Sequence, residues 1–355
     1  MTGVQHLRVA IVGASLGGLS AANVLRQLGH DVQVFELYSR GFETRGGALG
    51  SVDLDLLQRI RASDAQTNHA IKGHGHFYGD LWDYLYQGLA PENVHFDTDI
   101  DQIIDAHGVK PALVINGIEC RFDLIIGADG GGSTIRPYVT DNKPSYAGYT
   151  VWRGLVPMHG ISGPPSGRRT VQGIAYETLG FPCAGPKGQG PLWNCGIYMA
   201  MPEADVMAPT RNRQIGTALR RVPDWFLPFV QALFGDANAL FWAACVADGK
   251  VSPHPVWEFA ADRAVQGRIL LLGDAAHMAS PRTGAGAYTA MVDAQILGEA
   301  LRQTNSLALA LTQYNDNTVR RGWQLLQRSR QAATYFAPEG KAVISPESVL
   351  KILSL

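Results

Sequence analysis

The stretch Leu7-Arg8-Val9-Ala10-Ile11-Val12-Gly13-Ala14-Ser15-Leu16-Gly17-Gly18 decides the fold. Leu7 to Val12 is an apolar run that stops at Gly13, the pattern of a buried strand. Leu19, Ala22, Leu25 and Leu28 then recur at helical spacing, and Gly29 supplies a stop. Asp31 to Glu36 follows as a second strand, so the first 36 residues read as one βαβ unit. Gly13 permits the tight turn, Gly18 lets the helix approach the strand, and the helix N-terminus presents free N–H groups to a pyrophosphate. Ser15 stands where the dinucleotide-binding fingerprint has its second glycine, and its hydroxyl can donate to a phosphate oxygen. Glu36, 18 residues after Gly18, is placed to accept from ribose hydroxyls and would repel a 2′-phosphate. FAD or NAD fits this loop; an ordinary strand-to-helix turn is the plain alternative.

The rest of the composition narrows the class. With 355 residues, two domains are expected. Lys+Arg 30 against Asp+Glu 31 lacks the basic excess of a nucleic-acid surface. The 40 glycines are clustered rather than periodic, which marks sharp turns and close backbone approaches rather than a collagen-like repeat. The four cysteines, Cys120, Cys183, Cys195 and Cys245, form no C-x-x-C pair, and no apolar stretch is long enough to span a membrane. No secretory signal pattern opens the chain, so a cytoplasmic location is expected.

Helical patterns are expected at 52–61, 80–89, 213–234, 285–303 and 306–335, and short strands across 94–126. Further strands are expected at Thr150–Val156, Gly196–Met201, Phe241–Val246 and Arg268–Leu272, with a weakly patterned tail at the end. Two more glycine turns follow strands. Phe122-Asp123-Leu124-Ile125-Ile126-Gly127-Ala128-Asp129-Gly130 empties into a Gly-rich junction where Asp129 could be a simple cap. Arg268-Ile269-Leu270-Leu271-Leu272-Gly273-Asp274 leads to His277 and then to Pro281-Arg282-Thr283-Gly284-Ala285-Gly286-Ala287-Tyr288.

In this order, the three motifs resemble the class A FAD-dependent aromatic hydroxylases, a flavoprotein monooxygenase family. Pro144 to Gly154, Phe77 to Trp82 and Ser15 look most like its dihydroxypyridine hydroxylase branch. The resemblance implies an α/β fold: a Rossmann-like FAD-binding domain of the glutathione-reductase type, a mostly β substrate domain inserted in it, and C-terminal helices. The expected boundaries are 1–72, 77–145 and 262–330 for the first, 146–261 for the second and 331–355 for the tail.

The resemblance also implies site residues. FAD would be held by Gly13, Ser15, Leu16, Gly18, Glu36, Arg45, Gly47, Ile100, Asp129, Gly273, Asp274, Pro281, Gly284, Ala285, Gly286 and Ala287. Asp274 would hold a ribityl hydroxyl, and the backbone before the 285–303 helix would face reduced flavin. Arg45, in an Arg-x-Gly, would also receive NADH or NADPH. Arg153 would anchor an anionic group or contact the flavin, a structural ion pair being the alternative. His277 is the motif-linked candidate for a base, or else a structural support. Tyr149, Tyr198 and Trp152 would line an aromatic chamber or pack in the core.

The implied chemistry is reduction of FAD by the nicotinamide, reaction with O₂ to a C4a-hydroperoxyflavin, and oxygen transfer to a small electron-rich aromatic or N-heteroaromatic ring. It requires no metal and no nucleic-acid or membrane partner, and leaves a homodimer open. An FAD-dependent dehydrogenase or reductase, or a non-catalytic FAD-binding relative, also stays open. The family's usual Gln and Asn correspond to Ala285 and Tyr288, and the segment between Arg61 and Gly79 is shorter than in that branch.

Overall fold

Arg8–Val12 lies inside a six-stranded sheet, between Asp31–Phe35 and Leu124–Gly127, and pairs in parallel with both, Val9 standing opposite Val32 and Leu124. Ile269–Leu271 extends the sheet beyond Leu124–Gly127, and Val94–His95 extends it beyond Asp31–Phe35, both in parallel. The computed structural model describes residues 3–41, 47–49, 52–61, 76–185, 190–206 and 222–354. Val9, Ala10 and Ile11 are fully buried, as are Leu124, Ile125 and Ile126. Parallel strands covered on both faces must be apolar throughout, which is why these runs carry no alternation.

Among the described residues the α-helices are α1 (Leu16–Gln27), α2 (Leu54–Arg61), α3 (Tyr78–Tyr86), α4 (Phe226–Phe234), α5 (Asp236–Ala247), α6 (Gly286–Gln303), α7 (Leu307–Phe336) and α8 (Pro346–Leu353). Leu19, Ala22 and Leu25 of α1 share one core with Ala294, Leu297 and Leu301 of α6 and with the sheet beneath them. The chain thus returns to its first βαβ unit near its end, and the α/β fold with an inserted sheet is as expected.

The inserted part is a second six-stranded sheet, antiparallel throughout, in the order 167–171, 174–183, 192–200, 145–157, 251–260, 277–278. Side chains alternate between its faces. Trp152, Ile197 and Met199 form one core with Phe226, Phe229 and Trp242 of α4 and α5 and with Val349 of α8. Tyr149, Val151 and Tyr198, on the opposite face, pack with Phe336 of α7.

Two expectations need correction. Phe241–Val246 is helix α5, not a strand, and the sheet takes Val251–Ala260 instead. The apolar run there has no periodicity of its own, but Asn238, Phe241, Trp242 and Cys245 are the residues it buries, a helical spacing. The weakly patterned end contains α8, started by Ser345, whose hydroxyl accepts from the Ser348 N–H, and anchored by the fully buried Val349. Of the 213–234 helical pattern, 226–234 is α4, while 213–221 lies outside the described residues.

Candidate FAD site

A cleft of about 470 Å³ opens where the parallel strands end. Val12 and Gly13, Phe35 and Glu36, Ala128 and Asp129, and Leu272 and Gly273 line it, each pair following one strand. This is where an open α/β sheet places its ligands. All three glycine turns therefore meet in one hollow.

The first turn is as tight as backbone allows. Gly13 has φ +103°, and a Cβ there would overlap the carbonyl of Ala128; a Cβ on Gly18 would overlap the carbonyl of Gly13. Ser15 starts α1 in extended conformation, and its Oγ lies 2.7 Å from the Tyr78 hydroxyl at the start of α3. Both line the cleft, so two helix N-termini and a hydroxyl pair converge on one wall. Trp82 Nε1–H fastens the turn from behind by donating to the Ala14 carbonyl at 2.6 Å.

Glu36 is 6% exposed and lines the cleft, but it also ties the loops. Its carboxylate accepts from Ala14 N–H at 2.7 Å and from Tyr38 N–H at 3.0 Å. Desolvation raises its pKa; these backbone donors oppose the rise and the charge of Asp129 adds to it. Glu36→Ala is expected to weaken FAD by about 1–3 kcal/mol, the scale of losing charge-assisted hydrogen bonds. Titrating apoprotein with FAD checks this, and an unchanged affinity would leave Glu36 only the loop-tying role.

Asp129 lines the cleft and also ties its own turn: its carboxylate accepts from Ser133 Oγ at 2.5 Å, Thr134 N–H at 2.6 Å and Thr134 Oγ1 at 3.1 Å. The adjoining Gly130, Gly131 and Gly132 line the cleft beside it. Arg136, to which sequence reasoning gave no role, joins the second motif to the third. From a 6% exposed position it donates to the carbonyls of Gly131 and Gly130 at 2.8 and 3.1 Å and to those of Ala275 and Asp274 at 2.9 and 3.0 Å. Phe259 stacks 4.5 Å from its guanidinium carbon.

Leu16, Ile100, Asp274, Gly286 and Ala287 line the cleft. A Cβ at Gly286 would meet nothing within 4 Å and would point into open space at the start of α6. Pro281 begins a single tight turn closed by Gly284 at φ +63°, and Ala285 precedes α6; these three, with Gly18 and Gly47, shape the site without lining the cleft. Arg45 lies outside the described residues.

The catalytic expectations divide. His277 is 2% exposed and does not line the cleft. Its Nε2 lies 2.6 Å from Asp293 Oδ2, which also accepts from Gly273 N–H at 3.1 Å. Burial disfavours a charged imidazole here, yet the adjacent Asp293 outweighs it and lifts the pKa above the ordinary value. His277 thus supports the third turn from inside the core, and the role of substrate base does not fit it. Trp152 is 2% exposed and packs against Trp225 and Phe226, on the sheet face turned away from the site. Tyr149 is fully buried and donates to Ser280 Oγ at 2.6 Å, bracing the Pro281 turn. Arg153 keeps part of its surface accessible and lies against Gly47, just before Leu49 of the cleft wall.

Comparison with known proteins agrees with this geometry. A family model described as an FAD binding domain matches residues 243–329, the segment holding the third motif. The chain is 24% identical over 372 residues to 2,6-dihydroxypyridine 3-monooxygenase of Paenarthrobacter nicotinovorans, covering 92% of this chain and 91% of that protein. It is 26% identical over 366 residues to FAD-dependent urate hydroxylase of Klebsiella pneumoniae, covering 92% and 89%. Among solved structures, 2,6-dihydroxypyridine-3-hydroxylase from Arthrobacter nicotinovorans superposes with a TM-score of 0.75 at 22% identity over 98% of this chain and 96% of that one. Klebsiella pneumoniae HpxO complexed with FAD and uric acid gives 0.66 at 23% identity, over 97% and 92%. Along most of its length the chain is thus similar to an FAD-dependent urate hydroxylase and to 2,6-dihydroxypyridine 3-monooxygenase, and it shares the fold of the latter's solved counterpart.

Proposed function

We propose that this protein is an FAD-dependent monooxygenase that hydroxylates a small electron-rich aromatic or N-heteroaromatic ring, using NADH or NADPH and O₂. The observation that carries the reading is the convergence of three glycine turns on one cleft at the ends of the parallel strands.

The residues present fit FAD. Glu36 and Ile100 suit the adenosine half, the Gly13–Gly17 turn with Ser15 and Tyr78 suits the pyrophosphate, and Asp274 with the open space at Gly286 suits the ribityl chain and ring. Bound there, the flavin would supply the redox chemistry and oxygen activation. The protein's share is placement and exclusion of water. The start of α6 offers N–H groups to negative charge on the ring, and the Asp293–Gly273 bond holds the adjoining turn. Arg45 is proposed for the transient contact with NAD(P)H, since only one dinucleotide turn opens the chain. The substrates named for two relatives, dihydroxypyridine and urate, support a small heteroaromatic ring.

The test is NAD(P)H oxidation by FAD-loaded protein against a panel of hydroxylated pyridines, purines and phenols. One aromatic should stimulate it with one O₂ consumed per NAD(P)H. Turnover without oxygen uptake would favour a dehydrogenase, and no turnover with any donor a non-catalytic relative.

A further inference from the structure

With His277 enclosed in the core, the substrate's hydroxyl proton needs another acceptor, and the inward face of the antiparallel sheet carries one. On that face Arg153 stands opposite Ser252, while Val151 stands opposite both His254 and Tyr198. Residues directly opposite in an antiparallel pair share a face, so Arg153, Ser252, His254 and Tyr198 lie together, with Arg153 and His254 as diagonal neighbours. His254 Nε2 lies 3.0 Å from Ser252 Oγ. Its Nδ1 makes no hydrogen bond among the described residues and is not one of the closed-off polar atoms.

Exposure points the same way. On this face Tyr149 and Phe336 are fully buried. Arg153 and His254 instead keep accessible surface, although protein surrounds both so closely that desolvation is the leading influence on each. The cluster lies near the FAD cleft, because the Arg153 guanidinium abuts Gly47, two residues before Leu49 of the cleft wall.

We propose that His254 accepts the proton of a ring hydroxyl on the substrate and that Arg153 holds the oxyanion left behind, with Ser252 fixing the imidazole. This rests on the hydroxylase reading and names its substrate class: a ring with an ionisable hydroxyl. The O–H bond breaks, its electron pair stays on oxygen, and the proton forms an N–H bond at Nδ1; Ser252 Oγ accepts from Nε2–H and so leaves the Nδ1 lone pair available. Nothing is oxidised or reduced in this step. The ionised ring is the more electron-rich, as oxygen transfer requires.

The electrostatics are consistent with that order of events. Burial, then the charge of Arg153, push His254 down to about 3, so it stays an acceptor. Across the face, Tyr198 is kept protonated by burial, and Glu177 is engaged by Arg168 at 3.1 Å and Arg282 at 2.9 Å.

The test uses FAD-loaded protein with 4-nitrophenol, whose ionised form is yellow, near pH 6, and with 4-nitroanisole, which has no proton to give. Binding of 4-nitrophenol should bring up the nitrophenolate band. His254→Gln should abolish the band and weaken binding about tenfold, the scale of one hydrogen bond to a charged group. Ser252→Ala should diminish the band, while 4-nitroanisole should bind all three proteins alike and FAD content should not change. Nitrophenol that fails to bind, binds in its neutral form, or ionises equally in His254→Gln would overturn the proposal. Failure of the hydroxylase reading shows separately, as wild-type protein that consumes no oxygen with any aromatic.

Discussion

Arg136→Met is expected to destabilise the protein by about 3–5 kcal/mol, the range for breaking a buried charged network, and to release FAD. The side chain reaches four backbone carbonyls, those of Gly130, Gly131, Asp274 and Ala275, in the turns after two neighbouring strands. Methionine fills the space beside Phe259 but leaves these acceptors without their donor, and a buried carbonyl without a donor costs more than the bond itself contributed. Burial also pulls the guanidinium pKa down, opposed by Asp129 and Asp274, so the charge sits there at a desolvation cost. Urea unfolding followed by fluorescence, with flavin content of the purified variant, measures both effects. A variant that keeps its FAD and its unfolding midpoint would show that the two turns hold themselves in place.

Gly18→Val should abolish FAD binding at micromolar cofactor. The added Cβ overlaps the Gly13 carbonyl, and Gly13 itself sits so close to the next strand that a Cβ built on it would overlap the Ala128 carbonyl. Overpacking of this kind costs about 1–3 kcal/mol in an adaptable core and more where backbone must shift. Here the shift displaces the N–H groups that face the pyrophosphate. Gly167→Ala, where an added Cβ meets nothing within 4 Å, serves as the control and should bind FAD normally. Isothermal titration of the two apoproteins separates the outcomes; equal affinities would remove the first turn from the cofactor site.

What was legible in the sequence follows physical rules that act locally. Buried parallel strands need unbroken apolar runs, and a turn that passes under a phosphate needs glycine, so the three motifs and the α/β class could be read directly. The missed features depend on distant partners. Arg136 meets Asp274 and Ala275 across 138 and 139 residues, and nothing at position 136 announces them. His277 follows a cofactor motif in sequence, yet the backbone after Asp274 turns it inward to Asp293 of α6. His254 sits in the short run Ser252-Pro253-His254-Pro255, which has no signature, and gains meaning only from Arg153 on the neighbouring strand. Phe241–Val246 misled for the opposite reason, since a continuous apolar run suits a buried helix as well as a strand.

The central claim, that this cleft and the sheet beside it perform FAD-dependent hydroxylation, meets its most direct test in turnover under ¹⁸O₂ with the aromatic that best stimulates NAD(P)H oxidation. Mass spectrometry of the product should show one ¹⁸O atom added to the ring. An oxidised product that carries no label, formed while NAD(P)H is consumed, would contradict the account.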